Sequence, residues 1–286
     1  MNVVSFDLED WYQLVHRRVT GDLLPARETI LRQMGAVADV LDKSSTKATF
    51  FVLALVAEQF PSLVRDLAKQ GHEIACHGYA HWRADRLSRS AFLEDTRKGK
   101  DIIEQIVQTP IFGYRAPEFS IQKNNLWALD VLAELGFHYD SSIFPIRHRR
   151  YGIPDFDPQP KRYSLLNGLQ IVELPLAALP VAGIRLPVAG GGYFRLLPLW
   201  ALRQSLKGLL KRQLPATTYF HPYEFDPCRL NIFETLPPLG LKNHLRGWRI
   251  NLQNNLGRGN TAKKLSTLLR EFDFTTCQEF LANAGF

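Results

Sequence analysis

Two histidines four residues apart and an acidic cluster near the start of the chain are the residues best suited to chemistry. His77 and His81 enclose a Gly-Tyr-Ala segment, and this spacing lets each imidazole offer one nitrogen to a metal, on a helix face or in a tight loop. Such a pair is usually structural when it occurs alone. Asp7, Glu9 and Asp10 add three carboxylates within four residues. Two imidazoles and one carboxylate form a catalytic zinc-type site with one position left open.

A carboxylate that does not bind the metal would have a separate task. A metal-bound water has a pKa lowered toward neutrality, so a nearby unligated carboxylate can accept its proton. Asp7 is the candidate base, and Arg115 could orient it through the fork of its guanidinium, although a surface ion pair is the ordinary role of such an arginine. His221 could protonate a leaving amine, whereas a structural role is commoner for a single histidine.

Strand and helix patterns alternate along the chain, and the reactive residues follow the strands. This alternation is typical of a parallel sheet covered by helices, and about seven units in one domain favour a barrel over a doubly wound fold. Ligands bind at the carboxyl ends of such strands, where we expect the reactive side chains to meet. The predicted strands are 3–6, 48–52, 72–75, 113–115, 137–139, 171–174, 217–220 and 274–276, and the predicted helices are 28–43, 61–70, 90–105, 124–135, 198–213 and 261–272.

Length and composition are those of a globular α/β protein. The chain has 286 residues, of which 45% are hydrophobic and 22% charged, which excludes a disordered or fibrous chain. We find no repeat and no linker, and therefore expect a single domain over 1–286. No apolar stretch reaches the roughly 18 to 20 residues of a membrane span, and acidic residues stand where a signal peptide would be basic and apolar. We expect a cytoplasmic protein, with a peripheral place at the inner membrane as an alternative.

The basic residues are concentrated in the second half of the chain. The net charge is −3 over residues 1–140 and +10 over 141–286. This asymmetry suits nucleic acid, an anionic membrane surface or a ligand bearing phosphate or uronate, and a merely solvated basic surface is as common. Zinc-finger spacings and RNA-binding aromatic motifs are absent from the sequence, so we expect no nucleic acid partner. The basic, amphipathic segment 196–213 could contact an anionic membrane or a lipid-diphosphate carrier, although a core-packed helix is its commoner role.

The ordered set of motifs resembles the polysaccharide deacetylases of the NodB homology group, carbohydrate esterase family 4. The resemblance spans residues 3 to about 224. Phe6 to Tyr12, the Gly-Gly-Gly-Tyr-Phe-Arg segment at 190–195 and an extension from about residue 225 resemble the branch found with exosortase-linked exopolysaccharide gene clusters. The motifs are the acid cluster, Thr-Phe-Phe at 49–51, the histidine pair, Tyr-Arg-Ala-Pro at 114–117, Tyr-Asp-Ser-Ser at 139–142, Leu-Pro at 174–175 and Phe-His-Pro at 220–222.

The resemblance implies an α/β fold, a distorted (β/α)₇ barrel, and metal-dependent hydrolysis of an N-acetyl group on a sugar. Asp7 matches the catalytic base of the family, and His77 and His81 match its metal ligands. His221 matches the catalytic acid, and Arg115 matches the residue that orients the base.

The first and fourth motifs depart from the common family pattern. Leu8 stands where the second of two adjacent aspartates usually binds the metal. A related peptidoglycan-deacetylase subgroup has Asp-x-Asp, which would give this place to Glu9. Asp10 is one residue further on and shorter, and it stays open as a ligand. Asp140 is a looser match to the acid that tunes the catalytic histidine.

Aromatic residues near the motifs are candidates for substrate binding. We expect Trp11, Trp82, Tyr193 and Pro117 to contact the sugar, with Tyr193 placed by a permissive loop at 190–192. The predicted cofactor is a divalent metal, Zn²⁺ first, although the same ligands accept Co²⁺, Ni²⁺ or Fe²⁺.

The predicted activity is N-deacetylation of N-acetylhexosamine units in an exopolysaccharide or its lipid-linked precursor. Two alternatives stay open. One is a non-catalytic glycan-binding component of a polysaccharide assembly complex. The other is a metal-independent cyclic amidohydrolase of the same barrel family.

Overall fold

Eleven strands are found among the residues that the structure describes. The computed structural model describes residues 1–165, 168–188, 190–236 and 240–286. The strands are β1 (Asn2–Leu8), β2 (Thr49–Val52), β3 (Glu73–Cys76), β4 (Gly113–Tyr114), β5 (Tyr139–Asp140), β6 (Lys161–Ser164), β7 (Gln170–Glu173), β8 (Ala178–Val181), β9 (Ile184–Pro187), β10 (Thr217–Phe220) and β11 (Phe274–Thr275).

Helices follow most of the strands. They are α1 (Trp11–Thr20), α2 (Thr29–Asp42), α3 (Ala54–Gln59), α4 (Pro61–Lys69), α5 (Arg89–Val107), α6 (Trp127–Glu134), α7 (Gly191–Leu196), α8 (Leu199–Lys211), α9 (Leu241–Asn255), α10 (Thr261–Glu271) and α11 (Cys277–Asn283). None of the described helices is both long and apolar enough to cross a bilayer.

The sheet confirms the predicted α/β fold and its distorted (β/α)₇ barrel. Seven strands run parallel in the order β10-β1-β2-β3-β4-β5-β7, β6 is antiparallel to β7 at one edge, and β11 pairs with the start of β1. Strands β8 and β9 form a separate hairpin. At the other edge, a single bridge joins Tyr219 of β10 to Gly190. The carboxyl ends of the seven strands therefore lie on one side of a curled sheet.

Strand β1 lies between β10 and β2 and is buried along its whole length. Phe6 lies beside Phe220 of β10 and Phe50 of β2 in the register, and its ring centroid is 5.8 Å and 5.2 Å from theirs. Side chains alternate across a strand, so Ser5 and Asp7 point to the opposite face from Phe6. This alternation puts an acid on the polar face at the end of a strand whose other face is core.

The segment after residue 225 shares the core of the barrel. Leu265 and Leu268 of α10 belong to the same buried cluster as Val4 of β1, and β11 pairs with β1. The single domain over 1–286, with its extension from about 225, stays a prediction.

The basic segment 196–213 corresponds to α8, which packs on the core. Leu202, Leu206 and Leu209 are buried, so most of the apolar side of this helix does not face solvent. Trp200 is exposed at the start of the helix.

The predicted permissive loop at 190–192 is wrong in part, because α7 begins at Gly191. Gly190 instead serves the sheet. A Cβ on Gly190 would lie 1.8 Å from the carbonyl oxygen of Tyr219, so only glycine allows the chain to bridge β10 here.

Candidate active site

A cavity of about 430 Å³ opens at the carboxyl ends of the parallel strands. Its walls contain Asp7 and Glu9, which follow β1, His77 and His81, which follow β3, and His221, which follows β10. Five of the sequence-predicted residues from three separate parts of the chain therefore meet in one place.

Glu9, His77 and His81 form a cluster with the composition of a metal site. One ligand atom from each residue lies within 4.8 Å of those of the other two. Oε2 of Glu9 is 2.8 Å from Nε2 of His81 and 3.4 Å from Nε2 of His77. Two nitrogens and one oxygen with an open side are the donor set of a catalytic zinc-type site.

The hydrogen bonds around the cluster fit a cation better than a purely polar core. Nδ1 of His77 is 2.7 Å from the carbonyl oxygen of Arg115, which can only accept, so Nδ1 carries the proton and Nε2 presents a lone pair. That lone pair faces Oε2 of Glu9, a buried oxygen without a hydrogen-bond partner in the described structure. Burial alone would raise the pKa of Glu9, but His81, His221 and His77 outweigh it and hold this pKa well below its usual range.

The two metal-ligand histidines of the prediction lie in a tight loop and not on a helix. Gly78 has φ of +78° and His81 has φ of +56°, a left-handed conformation that is uncommon and costly for a non-glycine residue such as His81. Asp95 of α5 fixes the loop by accepting from the backbone N–H groups of Tyr79 and Ala80 at 3.0 and 3.4 Å. The sequence patterns did not identify Asp95.

The structure gives different surroundings to Glu9 and Asp10, the two acids that the sequence left open as metal ligands. The carboxylate of Asp10 accepts from the backbone N–H groups of Tyr12 and Gln13 at the start of α1, at 3.4 and 3.1 Å, and from that of Arg27 at 3.1 Å. Asp10 is therefore an N-cap and lies outside the histidine cluster, so its place among the candidate ligands is corrected. Glu9 alone of the two faces the histidines.

Asp7 is fixed by a fully buried arginine. Nη1 of Arg115 donates to Oδ1 of Asp7 and to Oγ of Ser5, both at 2.8 Å. Nε and Nη2 donate to the carbonyl oxygen and Oγ of Ser141 at 3.0 and 3.1 Å, and the guanidinium lies 3.9 Å from the ring centroid of Phe51. A single guanidinium nitrogen reaches Asp7, so the predicted fork contact is one-sided. Oδ2 of Asp7 stays free on the cavity side.

His221 is held between three carboxylates. Its Nε2 is 3.3 Å from Oε1 of Glu9 and 3.9 Å from Oδ2 of Asp7, and its Nδ1 is 2.8 Å from Oε1 of Glu224. Burial would lower the pKa of His221, but the charges of Glu9, Glu224 and Asp7 outweigh it and raise this pKa to about 9. Nδ1 is therefore the ring nitrogen that donates to Glu224, and Nε2 points to the cavity.

Glu224 is a site residue that the sequence analysis missed. It lies three residues after His221 and accepts from both the backbone N–H and the ring of that histidine. Its other oxygen is 3.2 Å from Nε of Arg195. The His-Pro-Tyr-Glu segment, with an acid at i+3 in a short turn, was the available signal.

The predicted role of Asp140 in tuning His221 is wrong, because Asp140 belongs to a different network. Its carboxylate accepts from the hydroxyl and backbone N–H of Ser142 at 2.5 and 3.2 Å. It also shares a hydrogen bond with the carboxyl group of Glu173. Burial and the charge of Asp140 raise the pKa of Glu173 well above its usual value. The Ser142 hydroxyl in turn accepts from the backbone N–H of Ala116 at 2.7 Å, which supports the strand end that carries Arg115.

Two of the four predicted substrate contacts line the cavity. Trp11 forms part of its wall, and Trp82 is half exposed at its mouth, with the guanidinium of Arg17 3.5 Å from the ring centroid. Tyr193 and Pro117 are not among the described cavity-lining residues, and their contact with substrate stays a prediction. Pro117 is buried, and Tyr193 is hydrogen-bonded to Tyr151.

The rim of the cavity is rich in arginine. Glu118 on this rim is 2.9 Å from Arg18 and 2.8 Å from Arg83, and it also pairs with Arg150. Burial alone would raise the pKa of Glu118, but the charges of Arg18 and Arg150 outweigh burial and lower this pKa to about 2. Arg17 and Arg86 line the cavity as well, so guanidinium groups outnumber the rim carboxylate.

An open (β/α)₇ barrel with histidines and carboxylates at its carboxyl edge defines the class of NodB-type barrels. Residues 32–139 match the family model described as polysaccharide deacetylase, and residues 141–282 match a domain of unknown function, DUF3473. Over residues 32–139 the chain is therefore similar to the polysaccharide deacetylases.

The matches to individual curated relatives cover only part of each relative's length. A peptidoglycan-N-acetylglucosamine deacetylase of Bacillus cereus is 30% identical over 95 residues, which are 33% of this chain and 34% of the relative. The matched region thus spans about a third of that relative.

Solved structures share the fold over nearly the whole chain. A probable polysaccharide deacetylase from Pseudomonas aeruginosa PAO1 has a TM-score of 0.58 at 14% identity, covering 98% of this chain and 89% of that one. An allantoinase has a TM-score of 0.55 at 15% identity, covering 94% and 90%. The fold is shared by both, so any choice between their reactions depends on the site.

Proposed function

We propose that this protein is a metal-dependent N-deacetylase that releases acetate from N-acetylhexosamine units of an exopolysaccharide or its lipid-linked precursor. One observation carries the proposal: the Glu9, His77 and His81 cluster shares a cavity with Asp7 and His221. The polysaccharide deacetylase match over residues 32–139 and the name of the Bacillus cereus relative, a peptidoglycan-N-acetylglucosamine deacetylase, support the reaction class.

Glu9, His77 and His81 would hold the metal, with Zn²⁺ the closest match to two nitrogens and one oxygen and Co²⁺, Ni²⁺ or Fe²⁺ as substitutes. When bound, such an ion supplies Lewis acidity toward the acetamide carbonyl and lowers the pKa of water. The Arg115 carbonyl sets the tautomer of His77 for this role by accepting its Nδ1 proton.

Asp7 acts as the general base in this proposal. Arg115 occupies Oδ1, so Oδ2, on the cavity side, accepts the proton of the attacking water. The oxygen of that water forms a bond to the acetamide carbon. The buried guanidinium has three further hydrogen-bond acceptors, Oγ of Ser5 and the carbonyl oxygen and Oγ of Ser141, and it lies over the ring of Phe51. These contacts hold the base in one orientation.

His221 acts as the general acid. Glu224 fixes Nδ1, so the proton at Nε2 is presented to the cavity and passes to the amide nitrogen as the carbon–nitrogen bond breaks. The products are acetate and a free amino sugar. Glu224 serves here as the positioning residue that the family resemblance assigned to Asp140.

Two features of the cavity mouth bear on the substrate. The half-exposed ring of Trp82, with the guanidinium of Arg17 over one face, offers its remaining apolar surface to a sugar. Arg86 on the rim suits a glycan that carries phosphate or carboxylate groups, whereas the guanidinium of Arg83 is already paired with Asp85 and Glu118. The rim arginine supports an anionic polysaccharide or a diphosphate-linked precursor over a neutral oligomer, whereas the ring of Trp82 suits a sugar of either kind.

Acetate release tests the proposal. Purified protein loaded with Zn²⁺ should release acetate from N-acetylglucosamine oligomers, and a chelator should stop the reaction until metal is restored. Opening of a cyclic amide without metal would instead support an amidohydrolase. Binding of glycan by both wild type and Asp7→Asn, with acetate released by neither, would indicate a glycan-binding component.

A further inference from the structure

Helix α9 turns a stripe of large apolar side chains toward solvent. Leu241, Leu245, Trp248 and Leu252 are 78, 58, 59 and 52% exposed. At ~100° per residue these four positions fall within about 60° of the helix circumference, so they form one continuous ridge. Single exposed apolar residues are ordinary, but a contiguous group marks an interaction surface.

The face of α9 that packs on the protein uses small and polar residues, and the large apolar residues of the stripe do not take part in this packing. Gly247 approaches Phe233 so closely that a Cβ would lie 2.9 Å from its ring. The side-chain oxygen of Asn251 accepts from the backbone N–H of Ile232 at 2.8 Å, and that of Asn255 accepts from Leu230 at 2.9 Å. Glycine and asparagine thus face the protein and leucine and tryptophan face outward, the reverse of an ordinary core-facing helix.

The charge on α9 has one sign. Arg246 and Arg249 are exposed, and residues 241–255 contain no aspartate or glutamate. Leucine and tryptophan on one face, with cations beside them, are typical of a helix that lies in the interface of an anionic bilayer.

The apolar stripe continues beyond the end of the helix. Nη1 of Arg195 donates to the carbonyl oxygens of Asn254 and Leu256 at 2.6 and 3.4 Å. This contact brings the adjacent Leu196 beside the end of α9, and both Leu196 and Leu256 are more than half exposed.

We propose that α9 docks this protein on the surface of an anionic lipid bilayer, with the Leu241–Leu252 stripe in the interface and Arg246 and Arg249 against the headgroups. The occupant is argued from charge complementarity, because a purely apolar partner would leave these arginines without a counter-charge. Asn254, on the inner side of the same helix, lines the active-site cavity. Docking would therefore place the cavity on the far side of α9 from the bilayer, one helix diameter (~10 Å) away. This proposal goes beyond the deacetylation chemistry and does not depend on it.

Co-sedimentation with vesicles tests the proposal. The wild type should pellet with vesicles rich in phosphatidylglycerol and stay largely in solution with phosphatidylcholine alone. Leu245→Ser/Trp248→Ser should weaken binding about tenfold or more, since two interfacial side chains are lost. Arg246→Gln/Arg249→Gln should weaken binding to the anionic vesicles only. Leu31→Ser/Leu210→Ser, at two half-exposed leucines on α2 and α8, is the matched control and should bind as the wild type does.

Independent readouts separate docking from folding and catalysis. Circular dichroism and acetate release from soluble oligomers should be the same for the wild type and all three variants. If the first stripe variant fails to fold, Leu241→Ser/Leu252→Ser takes its place. The proposal is overturned if the wild type does not bind anionic vesicles or if the stripe variants bind as tightly as the control. It is also overturned if the wild type is a dimer that the stripe variants convert to a monomer, because a second copy would then cover the stripe.

Discussion

Two buried carboxylate clusters lie at the carboxyl edge of the same sheet, and their neighbours give them opposite properties. Glu9 faces three histidines, which hold its pKa well below the usual range against the effect of burial. Asp140 and Glu173 face each other across β5 and β7. Burial raises the pKa of Asp140 although Glu173 acts to lower it, and burial together with the charge of Asp140 raises the pKa of Glu173 well above its usual value. The first cluster therefore favours a negative charge, whereas the second favours a bound proton.

The difference shows that an acid at a strand end is not by itself a catalytic group. Asp140 and Glu173 bond to the Ser142 hydroxyl and to the backbone N–H of Ile143, and these contacts fix the loop after β5. Asp7 has one oxygen held by Arg115 and one free toward the cavity. We therefore assign chemistry to the β1 end of the sheet and support to the β5 end.

The largest expected effect is the loss of acetate release when the proposed base, Asp7, is replaced. Asp7→Asn removes the proton acceptor and keeps the size of the side chain, so acetate release should fall roughly 10²- to 10⁴-fold. The metal content should not change. Initial rates and elemental analysis on the same preparation check this expectation, and an active Asp7→Asn enzyme would remove Asp7 from the mechanism.

Two matched substitutions, each of which replaces a carboxylate by its amide, compare the effects of the two clusters on kcat. Glu224→Gln removes the charge that fixes Nδ1 of His221, and kcat should fall about ten- to hundredfold with little change in KM. Asp140→Asn should leave kcat close to that of the wild type, because Asp140 contacts Ser142 and Glu173 instead. The reverse result would restore the role that the family resemblance gave to Asp140.

The pH dependence of stability tests the proton-sharing pair. The raised pKa of Glu173 means that the folded protein binds this proton more tightly than the unfolded chain does. The resulting stabilisation is complete below the unfolded pKa of about 4.3 and declines as pH rises through the folded pKa. Glu173→Gln removes this decline, so its free energy of unfolding relative to the wild type should improve from pH 5 to pH 8 by ~1 kcal/mol or more.

Urea denaturation at several pH values measures this change. Glu94→Gln, at an exposed position on α5, is the control for loss of one carboxylate. If the free energy of unfolding of Glu173→Gln depends on pH as it does in the wild type and the control, Glu173 does not carry the shared proton.

The smallest expected effect concerns the cap of α1. Asp10→Ala removes the acceptor for the backbone N–H groups of Tyr12 and Gln13 and should cost about 1 kcal/mol of stability. Thermal unfolding checks the magnitude. Asp10→Asn, which keeps an acceptor at the cap, should recover most of the loss.

The fold and most of the cavity residues could be predicted because both depend on local sequence patterns. Buried strands are short apolar runs, and His77, Arg115 and His221 each follow one of them, so a parallel sheet necessarily brings them to one edge. The choice between Glu9 and Asp10 could not be made from spacing, because it depends on which acid caps α1 and which faces β3.

Two features needed the three-dimensional structure. Glu224 supports His221 from the same turn, whereas the sequence assigned this role to Asp140 through a loosely matched motif. Helix α9 has a clear helical period at Leu241, Leu245 and Trp248, but periodicity does not say which face is buried. The inward asparagines and the outward leucines become evident only from packing.

Metal content is the most direct test of the central claim, that Glu9 with His77 and His81 forms the metal centre of this protein. Elemental analysis of wild type, Glu9→Gln and Asp10→Asn after loading with Zn²⁺ and desalting compares two adjacent acids with equal changes in charge. We predict that the wild type and Asp10→Asn retain equal amounts of zinc and that Glu9→Gln loses it. Zinc retained by Glu9→Gln, or lost from Asp10→Asn, would contradict the account.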